Sequence, residues 1–184
     1  MVKTKTPICD FNQLAIDFNL EGVDGYYYNL DSLKGKNGLL VMFICNHCPY
    51  VKTILHRIIR DVNELKGFGI NSVAIMSNDP TEYEEDSFQN MKKIAIEMNF
   101  PFPYLIDETQ EIAKSYGAVC TPDFFGYNSN LSLQYRGRLD ESRKEIVQDA
   151  RRDLFEAMKD IALTGLGPKV QIPSMGCSIK WFDI

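Results

Sequence analysis

The sequence lacks an excess of positive charge: 20 lysine and arginine residues stand against 25 acidic residues, which gives a net charge of −5. Nucleic acids and anionic membrane surfaces attract net-positive proteins, so we expect neither as the main partner. No hydrophobic run approaches the roughly 18 residues that a membrane-spanning helix needs. No apolar core follows Lys3 and Lys5 near the N-terminus, so no signal peptide is visible and we expect a cytoplasmic protein.

Internal repeats, low-complexity tracts and linker-like segments are also missing from the 184 residues. This length is ordinary for one domain, so we predict a single domain over residues 1–184. Within it, residues 1–38 are predicted to be an irregular N-terminal segment and residues 165–184 a C-terminal tail. The sequence predicts no particular oligomeric state.

The cysteines are few, dispersed and odd in number, which argues against the disulfide framework of a secreted protein. They are Cys9, Cys45, Cys48, Cys120 and Cys177. The close pair lies in the stretch FICNHCPY, residues 43–50, and has the spacing C-x-x-C. In a reducing compartment such a pair is more often catalytic or metal-binding than structural. Three interpretations are therefore open: a redox disulfide, part of a metal site, or two packed thiols.

Hydrophobic periodicity predicts an α/β domain in its first half. The apolar run at 39–44 suits a strand that is buried on both faces, and INSVAIM at 70–76 suits a second one. Between them, apolar residues at helical spacing predict a helix that ends at Gly67. A further helix is predicted to begin with Asp79 as N-cap and Pro80 at its first position. This alternation implies a parallel βαβ unit.

The second half is predicted to contain a short helix closed by Gly117 and then an antiparallel hairpin. The hairpin strands PDFFGY and LSLQYR flank the turn NSN at 128–130. Ser142 and Glu145 form a capping box that predicts a last helix, running to about residue 163. The hairpin adds antiparallel strands to the parallel unit, so the central sheet is expected to be mixed.

The C-x-x-C pair is predicted to lie where a buried strand passes into a helix, with Cys48 one turn beyond Cys45. The positive end of the helix dipole and the unpaired N–H groups there favour a thiolate. Such a cysteine can lower its pKa from about 8.5 to between ~3.5 and ~7.5, and the thiolate is the nucleophile of disulfide exchange. We therefore predict that Cys45 attacks and Cys48 resolves. His47, when protonated or suitably oriented, would stabilise the Cys45 thiolate and make the pair more oxidising.

A zinc site is the main chemical alternative, and it requires four ligands. The sequence contains no second close pair of cysteines, so the remaining ligands would have to come from His47, His56, Cys9, Cys120 and Cys177. We therefore expect no metal and no dissociable cofactor, because a disulfide would itself carry the two electrons.

The chain resembles the thioredoxin-fold superfamily in the strand LLVMFI at 39–44, the motif CNHC at 45–48 and the stretch VCTPDFFGY at 119–127. More closely, IDFNLEGVDGYYYNLDSLKGKNGLLVMFICNHCPYVK and YLIDETQEIAKSYGAVCTPDFFGYNSNLSLQYRGRLDES are similar to the alkyl hydroperoxide reductase/thiol-specific antioxidant branch, the peroxiredoxin-like thioredoxin family. The resemblance implies a thioredoxin-like three-layer α/β/α sandwich. It also implies a cis-proline at Pro122, opposite the C-x-x-C, with Thr121 and Pro122 presenting backbone to an extended substrate. The redox partner would be a protein or a small-molecule thiol or disulfide.

Two departures from the resemblance shape the expected chemistry. Related proteins bury an acid on the strand before the motif, but this strand is wholly apolar, so Asp123 is our candidate proton acceptor for Cys48. The proline and the threonine or serine that precede a peroxidatic cysteine are missing before Cys45. We therefore favour thiol–disulfide exchange, with a peroxidase that uses Cys45 as the first alternative and a non-enzymatic zinc-binding or structural module as the second. Cys177, in the tail sequence GCSIKW, is a candidate auxiliary redox thiol.

Overall fold

The computed structural model describes residues 3–182, so positions 1–2 and 183–184 of the predicted domain lie outside the described part. Ten strands and five helices are described, together with a 3₁₀ turn at Glu84–Asp86. The strands are β1 (Lys3–Lys5), β2 (Leu20–Gly22), β3 (Tyr27–Tyr28), β4 (Gly38–Phe43), β5 (Ile70–Met76), β6 (Tyr104–Ile106), β7 (Cys120–Thr121), β8 (Asp123–Asn128), β9 (Leu133–Tyr135) and β10 (Met175–Ser178). The helices are α1 (Leu30–Leu33), α2 (Pro49–Lys66), α3 (Phe88–Glu97), α4 (Glu111–Tyr116) and α5 (Asp153–Thr164).

Seven of the strands form one mixed sheet in the order β3-β2-β6-β5-β4-β8-β9. The strands β4, β5 and β6 are parallel, whereas β8 runs antiparallel to β4 and β9 antiparallel to β8. The predicted hairpin and the predicted parallel unit are both confirmed. Because β4 and β5 are parallel neighbours, the segments that follow them leave the sheet at the same edge.

The centre of the sheet is β4, whose six residues are all buried. Leu40 and Met42 belong to the hydrophobic cluster that includes α2 and α5, whereas Leu39, Val41 and Phe43 belong to the cluster on the other face, with α1 and α4. A strand alternates its side chains between the two faces, so an uninterrupted apolar run is what a strand covered on both sides requires. The predicted three-layer α/β/α arrangement around a mixed sheet is therefore confirmed.

The helix after β4 begins at Pro49, with Cys48 as its N-cap, and ends before Gly67 as predicted. Proline is favourable at the first helical position because the N–H that it lacks would have no helical partner there. One face of α2 buries Ile54, Ile58 and other apolar residues against the sheet. None of the helices within residues 3–182 is long and apolar enough to cross a membrane.

The predicted start of the third helix is wrong, because α3 begins at Phe88 with Ser87 as its N-cap. Asp79 instead closes a tight local turn, in which its Oδ1 accepts hydrogen bonds from the N–H and the hydroxyl of Thr81. The N–H of Asp79 donates to the carbonyl oxygen of Lys180, which belongs to the C-terminal tail. Asp79, which we predicted to cap a helix, therefore bonds instead to a residue that is distant in sequence.

The predicted capping box of the last helix is also wrong, since α5 begins at Asp153. The hydroxyl of Ser142 accepts from the N–H of Val147 and from the guanidinium of Arg57 on α2, so it serves a loop. Val147 is 39% exposed, which is inconsistent with the buried helical stripe that the periodicity predicted. The side-chain oxygen that could have capped a helix is occupied by tertiary contacts.

The tail is more ordered than predicted, because β10 lies between β1 and β7 in a second, three-stranded antiparallel sheet. The register places Cys177 opposite Thr121 on one side and opposite Lys3 on the other. The N-terminal segment and the C-terminal tail therefore meet beside the strand that precedes Pro122.

We expect Ile58→Ala to destabilise the fold by about 2–5 kcal/mol, because it opens a cavity under α2. Ile58 is 0% exposed, whereas Ile96 on α3 is 71% exposed and offers a matched control. We expect Ile96→Ala to change the free energy of unfolding by less than about 0.5 kcal/mol. Urea denaturation of both variants measures the difference, and equal effects would contradict this description of the core.

Candidate active site

The two cysteines of the C-x-x-C motif follow β4 directly, and Cys48 is the N-cap residue of α2. Each of the two thiols shifts the pKa of the other. Both residues are buried, Cys45 at 1% exposure and Cys48 at 0%. All five cysteines of the sequence lie within the described residues and none is in a disulfide. The structure therefore represents the dithiol form.

Thr121 contacts both sulfurs of the pair from the opposite side. Its hydroxyl oxygen lies 3.2 Å from the Sγ of Cys45, and its carbonyl oxygen lies 3.1 Å from the Sγ of Cys48, whose thiol can donate to it. The peptide bond between Thr121 and Pro122 is cis. The structure thus brings together four of the residues that the sequence singled out.

Cys177 is the third cysteine at this place. It is paired with Thr121 across the β7–β10 register, and its side chain lowers the pKa of Cys48. Next to it, Gly176 approaches Thr121 so closely that a Cβ there would lie 1.9 Å from the Thr121 carbonyl oxygen. Only glycine tolerates such an approach of two backbones. The backbone of Thr121 is therefore occupied by the tail on this side, where we expected it to be presented to an extended substrate.

A buried carboxylate, Asp86, lies on the other side of the pair, and each of its oxygens accepts two hydrogen bonds. Oδ1 accepts from the backbone N–H groups of Asn46 (2.7 Å) and His47 (3.1 Å). Oδ2 is 2.5 Å from Nδ1 of His47 and 2.9 Å from Nδ2 of Asn78. Burial opposes ionisation, but hydrogen bonds from His47 and Asn78 outweigh it and hold the pKa of Asp86 below its usual value. Asp86 is thus a charged group from the segment after β5 that bonds to the loop between the two cysteines.

The ring of His47 is fixed by this carboxylate and by a stacked tyrosine. Its Nδ1 lies 3.6 Å from the Sγ of Cys45, and its ring lies 3.9 Å from that of Tyr83 at an interplanar angle of 12°. Its Nε2 is buried and has no hydrogen-bond partner among residues 3–182. The prediction that His47 lies beside the Cys45 sulfur agrees with this geometry.

The pKa directions of the two thiols differ from the sequence-based expectation. Burial is the largest cause that raises the pKa of Cys45 well above its usual value, and the hydrogen bond to Cys48 and the charge of Asp86 raise it further. For Cys48, the hydrogen bond from Cys45 lowers the pKa to about 5 despite burial, and the side chain of Cys177 lowers it as well. The sequence-based expectation placed the helix N-terminus at Cys45, whereas Cys48 is the N-cap residue of α2 and Cys45 lies beside Asp86. In such a pair one proton is shared, and the low pKa belongs to the pair as a unit.

Asp123, our candidate proton acceptor, is engaged elsewhere. It lies on β8, opposite Phe43, and its Oδ2 accepts from Nη2 of Arg136 at 2.9 Å. Burial raises the pKa of Asp123 to about 6, and Arg136 limits the rise. The carboxyl oxygens of Asp123 accept from Arg136 and from the N–H of Val119, and within residues 3–182 no hydrogen bond joins them to Cys48, so the structure gives no support to a proton-acceptor role.

Cys45, His47 and Asp86 could also hold a metal ion, since one ligand atom from each lies within 4.8 Å of the others. Three donors are one fewer than the four of a structural zinc site, although three protein ligands occur in catalytic zinc sites. Both oxygens of Asp86 already accept hydrogen bonds, which a metal would have to replace in part. The sequence analysis included His47 among possible zinc ligands but missed Asp86.

The sequence contains a pattern that could have predicted the position of Asp86. It lies in the acid-rich stretch EYEED that follows β5, and the carboxyl ends of the parallel strands β4 and β5 meet at one edge of the sheet. Acidic residues after β5 are therefore expected near the segment that follows β4.

We expect one thiolate of the reduced protein to form with an apparent pKa of about 5. A pH titration that records the absorbance of thiolates at 240 nm measures this step. Cys48→Ser should remove the step. Cys45→Ala should raise its pKa, because the S–H donor to the thiolate is lost. Cys120→Ala is the matched control, since Cys120 is also buried and burial raises its pKa. A wild-type protein whose thiols all titrate above pH ~8 would contradict this electrostatic description.

Three similarities with known proteins agree with this geometry. An uncharacterized conserved protein from Geobacillus kaustophilus is 43% identical, with a TM-score of 0.92 and coverage of 99% of this chain and 97% of that chain. A hypothetical protein from Sinorhizobium meliloti 1021 is 34% identical, with a TM-score of 0.92 and coverage of 97% and 98%. The pneumococcal exposed lipoprotein thioredoxin from Streptococcus pneumoniae is 22% identical, with a TM-score of 0.58 and coverage of 79% and 99%, and shows the fold alone.

No curated protein matched the chain. The family model described as AhpC/TSA family matches residues 11–142, which is most of the sequence. The same residues include β2 to β9 and the C-x-x-C motif. The fold is thus thioredoxin-like, and the chain belongs to the AhpC/TSA family.

Proposed function

We propose that the protein is a thiol–disulfide oxidoreductase whose redox centre is the pair Cys45 and Cys48. The observation that carries the proposal is that Thr121 contacts both sulfurs, at 3.2 Å and 3.1 Å, with the Cys48 pKa lowered to about 5 at the start of α2. A thiolate at neutral pH beside a second thiol is the arrangement that disulfide exchange needs. Membership of the AhpC/TSA family supports a redox enzyme in general.

The exchange begins when a thiolate attacks a disulfide of the substrate, R–S–S–R′. We assign this attack to Cys45, which forms the mixed disulfide Cys45–S–S–R and releases R′–S⁻. The sulfur of Cys48 then attacks Cys45, and the Cys45–Cys48 disulfide forms as R–S⁻ leaves. Two thiols of the protein are oxidised and one substrate disulfide is reduced to two thiols. The reverse sequence oxidises a substrate dithiol.

The shared proton reconciles an attacking Cys45 with the lower pKa of Cys48. In the resting form the charge lies on Cys48, and Cys45 donates to it. When the proton passes to Cys48, the Cys48 thiol can donate to the Thr121 carbonyl oxygen at 3.1 Å. The Cys45 thiolate then accepts from the Thr121 hydroxyl at 3.2 Å. In the attacking form, Thr121 thus provides one hydrogen-bond partner to the sulfur of Cys45 and one to the sulfur of Cys48.

The burial of the site favours a small thiol or disulfide as the substrate over an extended polypeptide. Cys45 is 1% exposed, and the backbone of Thr121 is paired with Cys177 of the same chain. A compact disulfide needs a smaller opening than a strand that must pair along β7. Glutathione disulfide is therefore a suitable test substrate.

We expect Cys45→Ser and Cys48→Ser each to lower the rate of glutathione disulfide reduction on the order of 100-fold or more, because the two sulfurs act as a unit. Cys9→Ser should leave the rate unchanged, since Cys9 belongs to the N-terminal segment and is only partly buried. The rate is measured with dithiothreitol as electron donor. Full activity in both Cys45→Ser and Cys48→Ser would contradict the proposal, as would purification with stoichiometric zinc and unreactive thiols.

We expect His47→Gln to make the reduction potential of the pair more negative, by about 30 mV for a tenfold change in the equilibrium. The change removes the ring that bonds to Asp86, so the carboxylate disfavours a thiolate at Cys45 more strongly. His56→Gln is the matched control, because His56 is exposed on α2. Equilibration with glutathione buffers measures both potentials. An unchanged or more positive value in His47→Gln would show that His47 does not stabilise the reduced pair.

Reduction of peroxides is the second candidate function, and one contact favours it. The Thr121 hydroxyl lies beside the Cys45 sulfur, at 3.2 Å, where a threonine from upstream of the motif is missing. In this reaction the Cys45 thiolate is oxidised to a sulfenic acid while the peroxide is reduced to an alcohol or water. Cys48 then displaces water and forms the disulfide. Oxidation of Cys45 by hydrogen peroxide much faster than by glutathione disulfide would favour this candidate over the first.

A further inference from the structure

We propose that Cys177 is a third redox cysteine, which can replace Cys45 as the disulfide partner of Cys48. This inference rests on the proposed function of the Cys45–Cys48 pair and extends it. It adds a second oxidised form, with the bond between Cys48 and Cys177, that joins the C-terminal strand covalently to the start of α2.

The first support is the central position of Cys48. Its sulfur lies 3.1 Å from the carbonyl oxygen of Thr121, and Cys177 is paired with the same Thr121 in the register of β7 and β10. Cys45, Cys48 and Cys177 belong to the same hydrophobic cluster, and Cys177 is 2% exposed. A disulfide requires two sulfurs to approach to about 2 Å, and α2 and β10, which carry these two cysteines, pack against each other.

The second support is that the tail is held in place on both sides of Cys177. Before it, the hydroxyl of Ser174 donates to the carbonyl oxygen of Pro122 at 2.8 Å. After it, the N–H of Ile179 donates to the carbonyl oxygen of Val119 at 3.2 Å, and that of Lys180 donates to the side chain of Asn78 at 2.9 Å. Cys177 is therefore a fixed part of the site and needs no large movement of the tail.

The third support is Gly176, whose missing side chain lets β10 approach Thr121. A Cβ at this position would lie 1.9 Å from the Thr121 carbonyl oxygen and 2.5 Å from its carbonyl carbon. The same residue, Thr121, contacts the sulfurs of Cys45 and Cys48. The close approach of β10 to Thr121 thus determines how near Cys177 lies to Cys45 and Cys48.

The step itself is an intramolecular exchange without a change in oxidation state. The thiol of Cys177 loses its proton, and its sulfur attacks the Cys48 sulfur of the Cys45–Cys48 disulfide. The Cys48–Cys177 bond forms, the Cys45–Cys48 bond breaks, and Cys45 leaves as a thiolate that takes up the proton. Oxidising equivalents are then held between two buried sulfurs, while Cys45 is again a thiol beside His47.

The surroundings of Cys177 keep it a thiol in the reduced protein and oppose its deprotonation less once Cys48 is in a disulfide. Burial is the largest cause that raises the pKa of Cys177 to about 12, and the hydrogen bond to Cys48 contributes. Once Cys48 is in a disulfide, it no longer accepts that hydrogen bond as a thiolate. Lys180 and Lys144 continue to lower the pKa of Cys177.

The test maps disulfides in the full-length protein after equilibration with glutathione disulfide. Samples are quenched with acid, alkylated with N-ethylmaleimide and analysed by mass spectrometry. Wild-type protein should contain both the Cys45–Cys48 and the Cys48–Cys177 cross-link. Cys45→Ser should contain mainly Cys48–Cys177, and Cys177→Ser should lose that cross-link and keep Cys45–Cys48. Cys120→Ser is the matched control, since Cys120 lies on the adjacent strand β7, and it should match wild type.

The outcomes separate this inference from the proposed function. If wild-type protein forms Cys45–Cys48 but folded Cys45→Ser keeps both thiols or carries glutathione on Cys48, the role of Cys177 is overturned and the proposed function stands. If wild-type protein forms no Cys45–Cys48 bond, the proposed function fails and the exchange fails with it. Circular dichroism establishes folding, and Cys45→Val replaces Cys45→Ser if the serine variant does not fold. Disulfide mapping of the wild-type protein tests the inference without any variant. Absence of the Cys48–Cys177 disulfide at every ratio of glutathione disulfide to glutathione would contradict the inference.

Discussion

The site depends on one residue, Thr121, whose backbone and side chain contact three cysteines from two distant parts of the chain. Its hydroxyl meets Cys45, its carbonyl oxygen meets Cys48, and its strand pairs with β10 at Cys177. The contacts come from elements that are far apart in sequence, so the sheet has to be assembled before they exist. This constraint explains why a glycine precedes Cys177, since any larger residue would push β10 away from Thr121.

The second determinant is the negative charge of Asp86, which raises the pKa of Cys45 and bonds to the N–H groups of Asn46 and His47. It raises the pKa of Cys45, whereas the hydrogen bond from Cys45 lowers that of Cys48. The two effects place the resting charge on Cys48, between two S–H donors. His47 bonds to the carboxylate, so its influence on Cys45 depends on Asp86. Asp86, which follows β5, therefore holds the loop between the cysteines in place. Both residues of that loop, Asn46 and His47, bond to its carboxylate.

Local features of the sequence predicted a large part of the fold. The apolar run of β4, the stripe of α2 and the turn before β9 are each determined by residues close in sequence, so periodicity and turn chemistry were sufficient. The same reasoning placed Cys45 and Cys48 at a strand-to-helix junction. It failed for the starts of α3 and α5, because Asp79 and Ser142 bond to distant or loop partners instead of capping a helix. Asp86 and the position of Cys177 were beyond local patterns, since both depend on which strands become neighbours.

The central claim is that the sulfurs of Cys45 and Cys48 exchange two electrons as a unit. The most direct test is the redox titration of wild-type protein in glutathione buffers, with the oxidised fraction of each cysteine determined by mass spectrometry. We expect Cys48 to be oxidised in one two-electron step, with Cys45 as a partner and with Cys9 and Cys120 reduced throughout. A titration in which Cys45 and Cys48 stay reduced, or take up glutathione separately without bonding to each other, would contradict the account.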